Sequence, residues 1–321
     1  MNVEKGFVDV PVEAGLDLAA EIRKLKEEKN AAILAHYYTV GEIQDLADFV
    51  GDSLALARIA ETLDNDIIVM CGVHFMGETV KVLCPQKKVL VPDLNAGCSL
   101  ADSCPAEEFS KFVEAHPGHT VVSYVNTSAA VKAHTDIVVT SGNAMKVVSS
   151  LPEDEKIIFG PDRNLGNYIN SQTGREMLLW DGACHVHEQF SLEKILELKE
   201  QHPAAKVLVH PECPAPVRLV ADKIGSTAVL LEYAVNDDAT EFIVATESGI
   251  LHEMRRRCPG KTFIPAPPND STCACNDCSF MKLNTLEKLY NTLCYEQPEV
   301  TVDESIIDAA RRPITRMLEL S

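Results

Sequence analysis

The chain has 321 residues, 46% of them hydrophobic, and a net charge of −19. This charge argues against nucleic-acid binding, because phosphate backbones are bound by basic surfaces, and no apolar run is long enough to predict a membrane span. The N-terminus shows no secretory leader, and 11 cysteines favour metal or redox chemistry over disulfides in a reducing compartment. We therefore expect a cytoplasmic protein of two or three domains.

The first predicted unit covers residues 1–104, and the C-terminal helices in 281–321 are expected to pack on it. Short apolar segments alternate with helical runs, a pattern that predicts a small parallel sheet buried on both faces. Polar residues and a cysteine follow strand ends or open a helical run in this unit: His36, Tyr38, Ser53 and Cys98.

The second predicted unit covers residues 105–191 and repeats the same order of landmarks. Its first apolar segment ends in Tyr124, with Asn126 two residues later. Ser141 stands at the start of a helical run, and Cys184 follows the last segment, with His187 close behind it.

The third predicted unit covers residues 192–280. Its first apolar segment is followed by His210 and Glu212, and Ser226 and Thr227 open a helical run. Its last segment is followed by a group of cysteines that ends in Cys278.

Corresponding landmarks in successive units are 88 and then 86 residues apart, as His36, Tyr124 and His210 show. Such a repeat predicts three homologous three-layer α/β/α domains with small parallel sheets. Ligands bind beyond the carboxyl ends of the strands in such sheets, where all the landmarks fall. We therefore predict a pseudo-three-fold arrangement of the domains around a central active site.

Three cysteines, one from each unit, suit a metal centre. An iron–sulfur cluster with three thiolate ligands would leave one iron open as a Lewis acid. A catalytic zinc with three protein ligands, among them His185 or His187, is the rival. A zinc knuckle at Cys273–Cys278 would need a second close cysteine pair, which the sequence lacks.

The remaining landmarks predict binding and acid–base groups. Helix starts bind carboxylates and phosphates through free N–H groups, so Ser53, Ser141 and Thr227 are candidate anion contacts; simple N-capping is the alternative. Five residues expected near the same centre are candidate acid–base groups. A buried structural role is the alternative for each of them. They are His36, Tyr38, Tyr124, His210 and Glu212.

From about residue 30 to residue 294 the chain resembles the quinolinate synthase family, iron–sulfur enzymes of NAD biosynthesis. The resemblance is carried in order by several motifs, at 35–38, 42–53, 95–101, 124–127, 160–166, 182–187, 210–212, 225–227 and 281–286. It implies three α/β domains around a [4Fe–4S] cluster. It also implies condensation of iminoaspartate with dihydroxyacetone phosphate to quinolinate, phosphate and two waters.

The resemblance also implies roles for single residues. Cys98, Cys184 and Cys278 match the cluster ligands, and Tyr38, His210 and Glu212 match catalytic groups. The residues that match the family's substrate pocket are His36, Ser53, Tyr124, Asn126, Ser141, His187, His210, Glu212, Ser226 and Thr227. The family further suggests a homodimer and a separate L-aspartate oxidase or dehydrogenase that supplies iminoaspartate.

One departure from the family concerns Cys273 and Cys275, which form a C-x-C pair where many members have C-x-x-C. A disulfide in that pair would be strained, which argues against redox regulation through it. Two other functions are alternatives. An aconitase-like hydro-lyase acting on another small anion would also use an open iron, whereas an iron–sulfur redox sensor would not need His36, Tyr38, Glu212 or the three hydroxyls at the helix starts.

Overall fold

A computed structural model describes residues 3–269 and 276–321. Over these residues the strands form three sheets of four strands each, and every pairing is parallel. The fold class predicted from the sequence is therefore confirmed. Among the described helices, none combines the length and apolar character needed to cross a membrane.

The first sheet has the strand order β2-β1-β3-β4. Its strands are β1 (Ala31–His36), β2 (Phe49–Gly51), β3 (Ile67–Cys71) and β4 (Lys88–Leu90). The helices of this unit are α1 (Leu18–Glu28), α2 (Gly41–Leu46), α3 (Ser53–Thr62), α4 (His74–Leu83) and α5 (Ser99–Asp102). Every residue of β1 and β3 is buried, as expected for central parallel strands covered by helices on both faces.

The second sheet repeats this order as β6-β5-β7-β8. Its strands are β5 (Thr120–Tyr124), β6 (Ile137–Val139), β7 (Ile157–Gly160) and β8 (Leu178–Leu179). The helices of this unit are α6 (Ala106–Glu114), α7 (Ala129–Lys132), α8 (Ala144–Ser150), α9 (Arg163–Thr173) and α10 (His185–Glu188).

The third sheet has the order β10-β9-β11-β12. Its strands are β9 (Lys206–Val209), β10 (Lys223–Ile224), β11 (Glu241–Ala245) and β12 (Thr262–Pro265). The helices of this unit are α11 (Leu192–Gln201), α12 (Ala215–Arg218), α13 (Thr227–Asn236) and α14 (Ile250–Arg257). A short 3₁₀ turn (Met281–Leu283) then precedes α15 (Leu286–Tyr295) and α16 (Glu304–Leu320).

The strand registers show which residues correspond between the units. Ala35 pairs with Cys71, Ser123 with Gly160, and Val209 with Ala245. The residues that follow Ala35, Ser123 and Val209 are therefore structurally equivalent. They are His36, Tyr124 and His210. The spacing of 88 and 86 residues found in the sequence thus reflects one repeated βα architecture.

The two C-terminal helices pack in different places. Leu289 and Leu293 of α15 lie in a core with Ile22 of α1. Helix α16 contacts α4 of the first unit and α7 and β6 of the second, and its Ile314 and Met317 lie in a core that these two units share. The third sheet has its own cores on its two faces. The domain boundaries at 104, 191 and 280 stay predictions.

Candidate active site and metal centre

One central cavity of about 80 Å³ lies at the strand ends of all three units. Four residues from each unit line it. They are His36, Tyr38, Ser53 and Cys98 from the first, Tyr124, Asn126, Ser141 and Cys184 from the second, and His210, Glu212, Thr227 and Cys278 from the third. His187 also lines the cavity. Its size suits a small molecule rather than a polymer.

Ser226 is not among the described residues that line this cavity. It is buried and forms the N-cap of α13, where its Oγ accepts a hydrogen bond from Val229 N at 3.3 Å. The substrate contact predicted for Ser226 stays a prediction.

At the starts of α3 and α13, the residue that caps the helix is followed by a different residue that lines the cavity. Asp52 caps α3, accepting from Ala55 N at 3.0 Å, and Ser226 caps α13. Ser53 and Thr227 are the first helical residues, so N-capping does not account for their hydroxyls. Ser141 lies three residues before the start of α8.

Glu212 is the buried carboxylate at the centre of the site. Its Oε1 accepts a hydrogen bond from the Tyr124 hydroxyl, and its Oε2 lies 3.1 Å from Nδ1 of His187. Burial raises the pKa of Glu212, but the neighbouring His187 and His210 and the Tyr124 hydroxyl outweigh it and the pKa falls to about 2. Glu212 is therefore an ionised base at neutral pH.

His36 and His210 are neutral donors in the same cavity. Burial lowers the pKa of each imidazole to about 3. Nδ1 of His36 accepts from Tyr38 N at 3.1 Å, and Nδ1 of His210 accepts from Glu212 N at 3.4 Å. The proton of each ring is therefore on Nε2, and that of His210 is directed at Ser141 Oγ, 3.2 Å away.

Tyr38 joins the first and third units. Its hydroxyl lies 2.7 Å from Oγ1 of both Thr227 and Thr246, and Thr246 Oγ1 lies 3.0 Å from Nε2 of His187. Burial raises the pKa of Tyr38 and of Tyr124 well above the ordinary range. Both phenols are therefore protonated and able to donate a hydrogen bond or a proton.

The three predicted cysteine ligands fit a thiolate-bound metal centre. The side chains of Cys98, Cys184 and Cys278 line the one cavity although they come from three loops. Burial raises the pKa of all three thiols, to about 12 for Cys98. Nearby negative groups raise two of them further, Cys278 acting on Cys98 and Glu212 with Cys98 acting on Cys184. Thiols with raised pKa values stay protonated at neutral pH, so a bound cation is needed to hold them as thiolates, and soft sulfur donors suit iron–sulfur clusters and zinc. Cys273 and Cys275 lie outside the described residues.

A second donor set overlaps the first. One ligand atom from each of Cys184, His187 and Glu212 lies within 4.8 Å of the others. A mixed sulfur, nitrogen and oxygen set of this kind also suits zinc. His185, the other histidine considered as a zinc ligand, places Nδ1 2.6 Å from Ser99 Oγ.

Four residues near the site were missed by the sequence analysis: Asp162, Thr246, Glu247 and Lys132. Thr246 and Glu247 follow β11 directly, so the rule that sites form at strand ends could have found them. Glu247 lines the cavity, and its carboxylate lies 2.8 Å from Nζ of Lys282.

Lys132 gave no sequence signal because it lies inside a helical run. It is fully buried, and Nζ donates to the carbonyl oxygens of Val125, at 2.8 Å, and of Thr127. Nζ also lies 5.5 Å from the ring centroid of Phe75. Lys132 thus fixes the segment that carries Asn126 into the cavity.

Replacing Lys132 by methionine should lower the free energy of unfolding by about 2–4 kcal/mol, because two buried carbonyls lose their donor. Urea unfolding monitored by circular dichroism measures this. Lys111→Met is the matched control, since Lys111 is exposed and pairs with Glu107 on its own helix; its cost should stay below about 1 kcal/mol. Equal costs for the two variants would contradict the anchoring role.

The fold and cavity define a class of protein: three small parallel α/β units whose strand ends enclose acid–base groups and one cysteine from each unit. A family model described as quinolinate synthetase A protein matches residues 20–319. The chain belongs to the quinolinate synthetase A family.

Named relatives match over nearly the full length of both chains. A quinolinate synthase of Synechococcus sp. is 57% identical over 321 residues, covering 100% of this chain and 99% of the relative. A quinolinate synthase of Nostoc punctiforme is 58% identical, covering 96% and 95%. A quinolinate synthase of Chloroherpeton thalassium is 56% identical, covering 95% of each chain.

Proposed function

We propose that this protein condenses iminoaspartate with dihydroxyacetone phosphate to form quinolinate, inorganic phosphate and two waters, in the biosynthesis of NAD. The observation that carries the proposal is the cavity where three thiols and an ionised Glu212 lie with two protonated tyrosines. Membership of the quinolinate synthetase A family supports the same reaction.

The net charge of −19 does not attract anions. The two anionic substrates would therefore be bound by local dipoles rather than by the overall charge. Ser53 and Thr227 stand at the N-termini of α3 and α13, each ten residues long, where free N–H groups and the helix dipole favour anions. Asn126 and Ser141 add neutral donors from the second unit. Their role as substrate contacts is part of the proposal.

The acid–base work would fall to Glu212 and Tyr38. Glu212 is ionised, so it can take a proton from a carbon next to the carbonyl of the triose phosphate. Tyr38 can protonate a departing hydroxide, and Thr227 and Thr246 hold its oxygen in place. His210, neutral with its proton on Nε2, can stabilise a developing oxyanion by donating a hydrogen bond.

We assign Cys98, Cys184 and Cys278 as the ligands of a [4Fe–4S] cluster. When bound, such a cluster supplies one iron without a thiolate ligand, a Lewis acid for substrate oxygen. The position of the three thiols around one cavity supports this assignment.

An anaerobic assay tests the function. Purified, iron-loaded protein is mixed with freshly generated iminoaspartate and dihydroxyacetone phosphate, and quinolinate and phosphate are measured together. We expect equal amounts of both products and loss of activity in air. An aconitase-like hydro-lyase would release no phosphate, and neither product from protein with an intact cluster would contradict the proposal.

Metal analysis of the same sample distinguishes an iron–sulfur cluster from a zinc site. Iron and acid-labile sulfide in equal amounts are expected for the cluster, whereas zinc without sulfide would favour the set of Cys184, His187 and Glu212.

The wider setting is also a proposal. A separate L-aspartate oxidase or dehydrogenase would supply iminoaspartate, and the chain would act as a homodimer. A cytoplasmic location suits the cysteines of the described residues, which are all free thiols, because a reducing compartment keeps thiols in that state.

A further inference from the structure

Two buried carboxylates occupy one equivalent position in the second and third units. The strand registers align Cys71, Gly160 and Ala245. Two residues further along are Val73, Asp162 and Glu247. Asp162 and Glu247 are both completely buried, which is uncommon for carboxylates and requires hydrogen-bond partners.

Each of these carboxylates accepts a hydrogen bond from the backbone N–H of a candidate cluster cysteine. Cys184 N donates to Oδ2 of Asp162 at 3.0 Å. Cys278 N donates to Oε1 of Glu247, also at 3.0 Å. The same contact thus occurs twice, with an aspartate in one unit and a longer glutamate in the other.

In both cases the second carboxylate oxygen is also used. Oδ1 of Asp162 accepts from Leu165 N at 2.8 Å and so caps α9. Oε2 of Glu247 accepts from Gly249 N at 2.7 Å. Each carboxylate therefore clamps the cysteine loop to the segment that follows the third strand. An amide side chain has one acceptor oxygen and cannot make both bonds.

The first unit lacks a carboxylate here, since Val73 takes the place. There the next residue, His74, donates its N–H to the carbonyl of Ala96 in the Cys98 loop at 2.6 Å. A backbone contact thus links the same two segments where no carboxylate is present.

We propose that Asp162 and Glu247 are positioning residues that hold Cys184 and Cys278 in place for the cluster, an inference that rests on the proposed function. Groups that orient metal ligands are typically worth 10–100-fold in metal affinity. Both carboxylates act through the cysteine backbone rather than as ligands themselves.

The test compares Asp162→Asn and Glu247→Gln with the unchanged protein, all purified anaerobically with their cluster. We expect each variant to lose iron to a ferrous chelator about 10-fold or more faster, followed by decay of the visible cluster absorbance. Asp52→Asn is the matched control, because Asp52 is a capping carboxylate at the cavity wall whose partner is Ala55 N. It should lose iron at the unchanged rate.

Amide hydrogen exchange of the unchanged protein keeps the inference testable if a variant fails to fold. The amides of Cys184 and Cys278 should be protected. Fast exchange at both amides, or variants that release iron as slowly as the unchanged protein, would overturn the positioning role alone. If the unchanged protein binds no iron, the proposed function and this inference fail together.

Discussion

Serine at position 98, 184 or 278 is expected to abolish the visible cluster absorbance and to remove most of the bound iron. Serine is a hard oxygen donor with a far higher pKa than a thiol, so it replaces a thiolate ligand poorly. The three thiols line one cavity, and each supplies a third of the proposed ligand set. Absorbance spectra and iron analysis of anaerobically reconstituted variants measure the effect.

Two control substitutions should leave the spectrum unchanged. Cys294 lies on α15 and is not among the described residues that line the cavity, so Cys294→Ser should keep its iron. Cys275→Ser should also keep its cluster, since Cys278 is the assigned ligand. A cluster that survives in one of the three ligand variants would remove that cysteine from the set. Loss of the cluster in Cys275→Ser would assign Cys275 rather than Cys278 as the third ligand.

Glu212→Gln is expected to lower quinolinate formation by a factor of about 10²–10⁴, the usual effect of removing a general base. The glutamine keeps the size of the side chain and can accept the hydrogen bond from Tyr124, but it cannot take a proton from carbon. The measurement is quinolinate formed per cluster, with iron content determined on the same sample.

Glu253→Gln is the matched control for this prediction. Glu253 is also a buried glutamate, but it lies on α14, pairs with Arg256 and is not among the described cavity residues. Its variant should keep normal turnover. Near-normal turnover of Glu212→Gln with an intact cluster would exclude Glu212 as the base.

Much of the site could be found without the structure because the fold is repeated. A parallel strand buried on both faces gives a short apolar run, and its carboxyl end lies at the ligand-binding edge of the sheet. Polar residues after such runs were therefore expected to lie together, and His36, Tyr124 and His210 line one cavity. The third cysteine was chosen by resemblance to the family, and Cys278 lies in the cavity.

The sequence did not reveal which hydroxyls cap helices and which face the cavity. Asp52 and Ser226 make the capping bonds, which leaves the hydroxyls of Ser53 and Thr227 to face the cavity. In each pair both residues have side chains that are able to cap a helix. The direction of a side chain at a helix start depends on backbone angles that single residues do not encode.

By itself, the sequence determined the three α/β units and the meeting of their strand ends, because strand burial and the chain spacing are local and repeated. Only the tertiary structure placed Asp162 and Glu247 on the cysteine amides, bonded buried Lys132 to the carbonyls on either side of Asn126, and joined Tyr38 to Thr227 and Thr246. It also decided that Glu212 is ionised while His36 and His210 are neutral. These features arise from contacts between distant segments and from the loss of water around them, which depend on the surfaces that meet when the units pack.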